Sequence, residues 1–243
     1  MAVLLAASGA ACANSAVDAS PTPRPPASIP ADPAAAFAAA KALFGRESVK
    51  VALVAGDPAF NYTGVVESGT NNWEVKGDGF VVRRIGPKFY VQGGAEWARQ
   101  DFSLTPAAVD HLAAGGWVHS AAPEHGYSST VLADGFPWNL SGSVTRATGF
   151  TKTGDRSFEG RMPGRSSNNP VSTQPPRQYE IRVELDEQGR FAAIRFEPLP
   201  KAPGQSFAYT FSEYGLQAKI AAPPAEDVLE TPYSGFLDLL LPT

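Results

Sequence analysis

Between Gln178 and Asp186 the chain alternates strictly, with Tyr179, Ile181, Val183 and Leu185 apolar and Glu180, Arg182, Glu184 and Asp186 charged. A period of two puts one set on each side of a β-strand, so one face is dry and the other wet. The same period runs through residues 48–56, 60–68, 72–77, 79–85 and 88–93, short Val-, Phe- and Tyr-rich segments separated by Gly, Pro and Asp. That spacing predicts a five-strand antiparallel meander. Further strands are predicted at 142–151, 155–162, 178–186, 190–199 and 206–215, with residues 216–223 as the last strand. Two stretches carry a helical period instead. PAAAFAAAKALF (33–44) follows Asp32 as N-cap and stops at Gly45, and TPAAVDHLAAGG (105–116) starts at Thr105-Pro106 and ends on two glycines. The rest of 97–140 is expected to be loop. PGRSSNNPVSTQPP (163–176) is long for a connection, and loops of that size are usually functional or disordered. The class is mainly β, and a one-sided sheet of this size must close on itself or be covered.

In register with the outward charges, the inward positions are apolar throughout. Those expected to line an apolar cavity, if the short helices leave one, are Val51, Leu53, Tyr62, Trp73, Phe80, Val82, Phe89, Ile181, Val183, Phe207, Tyr209 and Phe211. For most of them plain core packing is the competing reading. Arg83-Arg84 places one guanidinium on each side of a predicted strand, so one of the two must turn inward. An inward Arg either snorkels to water or needs a carboxylate or an anionic head group.

Charge and motifs remove several function classes. A net charge of -4 with no basic stripe excludes a nucleic-acid surface, which needs clustered Lys and Arg. Nucleotide-binding glycine loops, the nucleophile elbow and the zinc-protease and calcium-loop motifs are absent from the sequence. His111, His119 and His125, with Asp110 and Glu124, lack a recurrent metal-ligand spacing. Glu180, Glu184 and Asp186 share one wet strand face with Arg182, which describes a solvated face better than a catalytic pair. No metal, cofactor or catalytic activity is therefore expected.

The N-terminus has its own logic. AVLLAASGAA (2–11) is too short to span a bilayer but suits the apolar part of a secretory signal, and it ends at Cys12, the only cysteine. One cysteine cannot make an internal disulfide. Residues 13–32, with Pro21, Pro23, Pro25, Pro26 and Pro30, read as a semi-extended tether. The expected organisation is a signal with a modified cysteine at 1–12, a tether at 13–32 and a single domain at 33–243. A basic residue, usual at the start of such a signal, is missing before Cys12, which is expected if the true start lies upstream of Met1. The apolar tail SGFLDLLLPT (234–243) is expected to pack on the sheet, seal a cavity or touch a membrane.

Three segments, VVRRIGPKFYVQGGAEWARQD (81–101), YEIRVELDEQGRFAAIRF (179–196) and FAYTFSEYGLQAKIAAPPAEDV (207–228), together with the cysteine-terminated signal and tether, resemble the actinobacterial lipoproteins of the LppX/LprG type. Those lipoproteins share a half-barrel with the LolA and LolB carriers. The resemblance runs from about Ala34 to Val228, and residues 105–175 match only in general character. It implies a twisted antiparallel half-barrel sheet with a few short helices against its concave face. It also implies acylation of Cys12, anchoring on the extracytoplasmic face of the cell membrane, and carriage of a lipid or lipoglycan without catalysis or cofactor. Gly9 departs from the family, which has Leu or a similar residue three before the cysteine. The alternative is a surface-displayed protein-interaction or scaffold module whose core is filled.

Overall fold

The structure is a computed structural model, and it describes residues 26–55, 61–70, 72–99, 104–120, 144, 147–163, 178–201 and 206–231. Cys12, His125, Glu124, the loop after Pro163 and the tail 234–243 lie outside the described residues.

Asp32 caps the first helix, α1 (Pro33–Phe44), by accepting a hydrogen bond from the Ala35 amide at 2.8 Å, and Pro33 needs no partner at the first helical position. After it the chain lays down β1 (Val49–Ala55), β2 (Tyr62–Val66), β3 (Trp73–Gly77), β4 (Phe80–Ile85) and β5 (Lys88–Gly93) as the predicted meander. A single turn, α2 (Ala95–Ala98), leads to α3 (Pro106–Ala113), which Thr105 caps through the Ala108 amide. Then come β6 (Trp117–Ser120), β7 (Thr148–Lys152), β8 (Ser157–Pro163), β9 (Gln178–Leu185), β10 (Phe191–Leu199), β11 (Phe207–Ser212) and β12 (Val228–Thr231). All twelve join one open sheet in the order β12-β6-β5-β4-β3-β2-β1-β11-β10-β9-β8-β7. The fold is mainly β with a few short helices, as the alternation predicts.

Several elements differ from the sequence expectation, among them β12, which lies beyond the expected last strand. Strand β6 and helix α2 fall where loop was expected, because runs of four residues are too short to display a period. The described part of the predicted strand 142–151 pairs only from Thr148. Residues 216–223 form no strand, although Leu216, Ala218 and Ile220 are half-buried and Gln217 and Lys219 are exposed. Their alternation is real, but β11, the strand they follow, already pairs with β1 on one side and β10 on the other, so a hairpin onto it is closed to them. The segment is extended and meets Arg83 of β4 at the Ala221 carbonyl, 3.4 Å from Nη1. It leads to β12, which lies against β6 as the one parallel pair among the described strands. Pro26–Asp32, part of the expected tether, also touches the fold: the Ala27 amide donates to Glu187 O at 2.7 Å and Ile29 packs on the core.

Helix α1 covers one flank of the inner face. Phe37 meets Phe150 and Phe158 edge-on at 4.8 and 5.0 Å, Phe44 meets Phe211 at 5.3 Å, and Ala36 and Ala40 allow the helix to approach closely. Helix α3 packs on α2, β5, β6 and β12 through Ala108 and Leu112, beside Val118 and Leu229. Between these two flanks lies the stretch from β1 to β4.

Candidate functional site

All twelve residues expected to line a cavity belong to one face. The ladder sets Val51 opposite Phe211, Leu53 opposite both Tyr62 and Tyr209, and Val75 opposite Val82, while Phe196 is shared between Phe207 and Ile181. Eleven of them are buried and Phe207 is half-buried. They divide into two neighbourhoods. Ile181 and Val183, with Phe158, Ile194 and Phe196, are core on the flank where α1 packs, each with at most 1% of its surface exposed. Val51, Leu53, Tyr62, Trp73 and Val82 lie between the flanks. Phe80 closes the end of that stretch, with Trp97 of α2 stacked on it at 5.2 Å and Tyr62 edge-on at 5.8 Å. Gly93 makes room for Trp97, whose ring occupies the place a side chain there would take.

A small notch on this face lies beside Gly64, which alternates inward between Tyr62 and Val66 and pairs with Val51 and Val75. The place a side chain at Gly64 would take is itself filled by the Glu74 backbone carbonyl. The cavity, lined by Val51, Leu53, Tyr62, Gly64, Trp73 and Val75 among others, measures about 10 Å³. That is the room of roughly one water-sized sphere. Burial pushes the Tyr62 phenol up to about 12, so it faces the notch as a neutral group at any ordinary pH. Gly64 is not among the twelve residues expected to line the cavity. Its signal was a small residue at an inward strand position.

The structure decides between the two arginines. Arg83 turns to the outer face, where its Nε donates to Glu74 Oε2 at 2.5 Å and its guanidinium lies 4.5 Å from the Trp117 ring centroid. Arg84 turns inward in line with Phe80 and Val82 and is 8% exposed. It pairs across the ladder with Trp73 and Phe89, its Nε donates to the Gly86 carbonyl at 2.9 Å, and its guanidinium is 5.7 Å from the Phe89 ring centroid. Desolvation holds its pKa below the usual guanidinium value, yet an Arg stays charged under any physiological condition.

Several other titratable residues among those described pair between neighbouring segments. His111 Nε2 sits 2.9 Å from Asp227 O, and His119 Nδ1 pairs with Glu230, so both histidines hold the chain at and around β12. Arg182 meets Glu159 at 2.5 Å and Arg195 meets Glu184 at 3.6 Å across the wet face. Asp186 is tied to Arg190 at 2.7 Å. Among the described residues no group of three or more His, Cys, Asp or Glu side chains is placed to hold a metal ion, and no helix is long and apolar enough to cross a membrane.

No family profile matches the chain, and no curated protein matches its sequence. Among solved structures it is similar to the crystal structure of the Mycobacterium tuberculosis lipoprotein LppX, at 14% identity and a TM-score of 0.43, covering 78% of this chain and all of that one.

Proposed function

We propose that the protein is an exported, membrane-anchored lipoprotein that holds a lipid or lipoglycan against the inner face of its sheet, as a carrier in the cell envelope. The observation that carries this reading is the continuous apolar face between β1 and β5, notched at Gly64 and left by α1 to the far flank. Burial would be the mechanism. Each methylene removed from water contributes about 0.8 kcal/mol, so even part of an acyl chain gives appreciable affinity. The notch is too small for a chain as it stands, so a ligand enters by displacing side chains that now fill the face. The anchor follows the same arithmetic, since two or more acyl chains on Cys12 hold a protein on a bilayer where one does not.

The small volume favours a second reading, an interaction or scaffold module whose core is simply full. One experiment separates them. The full chain is purified from a lipoprotein-exporting host, weighed intact by native mass spectrometry, and extracted for lipid. Co-purified or added diacyl lipid bound in a defined ratio supports the carrier, and a bare protein that ignores added lipid leaves the scaffold. In the same host Cys12→Ala is expected to move the protein out of the membrane fraction; unchanged partitioning removes the anchor.

A further inference from the structure

Among the described residues the inner face of the sheet carries one charge, Arg84, and no described carboxylate pairs with it. Arg84 is buried to 92% by its 8% exposure, beside Trp73 and Phe89, and its contacts are the Gly86 carbonyl and the Phe89 ring. Among the described residues no carboxylate lies within 4 Å of it. Two half-buried arginines among the described residues are treated differently. Arg83 has Glu74, and Arg190 has both Glu47 and Asp186. A guanidinium cannot shed its proton to escape desolvation, so burying one without an anion is costly.

Position adds a direction. Arg84 is the last inward residue of β4 before the Gly86-Pro87 turn, at the end of a file made by Phe80 and Val82. Trp73 is its ladder partner and also lines the Gly64 notch. A cation at the rim and an apolar notch on the next two strands are thus joined through one shared side chain.

We infer that Arg84 binds the anionic group of an amphiphile, a carboxylate or a phosphate, whose hydrocarbon chain runs from the rim over Val82 and Trp73 into the space at Gly64. The inference rests on the lipid-binding reading and narrows it to acidic ligands. A guanidinium offers two parallel N–H donors to either oxyanion, so the headgroup class is set by charge and fork geometry rather than by size.

The test uses the purified full chain and four probes: palmitate, its methyl ester, 1-palmitoyl lysophosphatidate and the neutral 1-palmitoyl glycerol. Wild type is expected to bind each acidic probe about tenfold or more tightly than its neutral partner. Arg84→Met should abolish that preference, and Arg84→Lys should keep part of it. Comparison of palmitate with lysophosphatidate tells a carboxylate site from a phosphate site. Competition by inorganic phosphate without loss of the ester would show that the anion subsite also accepts a free ion. Equal binding of acidic and neutral probes by wild type overturns the assignment of Arg84 but leaves lipid binding intact, and that comparison does not depend on any variant folding. Failure of all four probes to bind overturns both.

Discussion

Gly64 has Val51 and Val75 as ladder partners, each with its side chain on the inner face, and it contributes none. A Cβ built at this position would overlap the Glu74 backbone carbonyl oxygen and come within 3.0 Å of Val75 Cγ2. The backbone of β3 cannot yield as a side chain can, so Gly64→Ala is expected to destabilise the fold by roughly 1–3 kcal/mol, read as a lower urea midpoint. An unchanged midpoint would mean that the strands separate more easily there than their register implies. On the outer side of the same β3, burial works to raise the Glu74 carboxyl, but hydrogen bonds and charge from Arg83 and Lys76 outweigh it and hold the group below its usual range. A carboxylate depressed in the folded state contributes stability above its unfolded pKa and loses it as pH falls through the folded one. Glu74→Gln should therefore be less stable than wild type at neutral pH, and the gap should close on acidification below about pH 4. A gap independent of pH would show that the carboxylate's charge is not what matters.

Elements are tied together at a few polar knots, and these were the least legible part of the sequence. Arg190, in the turn between β9 and β10, donates to Asp186 at 2.7 Å, to Glu47 at 2.8 Å and to Gln188 at 3.0 Å. Its guanidinium also stacks 4.2 Å from the Tyr214 ring centroid, and the Tyr214 hydroxyl donates to Phe191 O at 2.7 Å. One side chain thus joins the α1–β1 connection, the β9–β10 turn and the turn after β11. Arg190→Met is expected to cost about 2–3 kcal/mol in chemical denaturation, because it strands two partly buried carboxylates. Arg182→Met, which removes the exposed pair with Glu159, should cost under about 1 kcal/mol. Equal losses would refute the distinction. Periodicity foretold β1 to β5 and β8 to β11, each of which runs for at least five residues. It gave no hint of Arg190's partners, since Glu47 lies 143 positions away. The same limit applied at the candidate site. Alternation named the apolar face, but only the structure shows that a notch lies beside Gly64 and that Arg84, not Arg83, is the inward arginine.

For the whole molecule, strand order matters more than strand count. Two runs of neighbours, β1 to β6 and β7 to β11, are each built from consecutive strands, and they meet where β1 pairs with β11 from Lys50–Ser212 to Ala55–Phe207. The first of the described strands in chain order is therefore an interior strand of the sheet. Lys50 and its ion-pair partner Glu213 are 163 positions apart, so a nascent chain carries β1 with one edge unsatisfied until β11 has been made. VKVALVA is the kind of short, β-rich, almost uncharged segment that recruits other chains through an open edge. Lys50 is its single charge, and before Glu213 exists to receive it that lysine acts as a gatekeeper against pairing with the wrong strand.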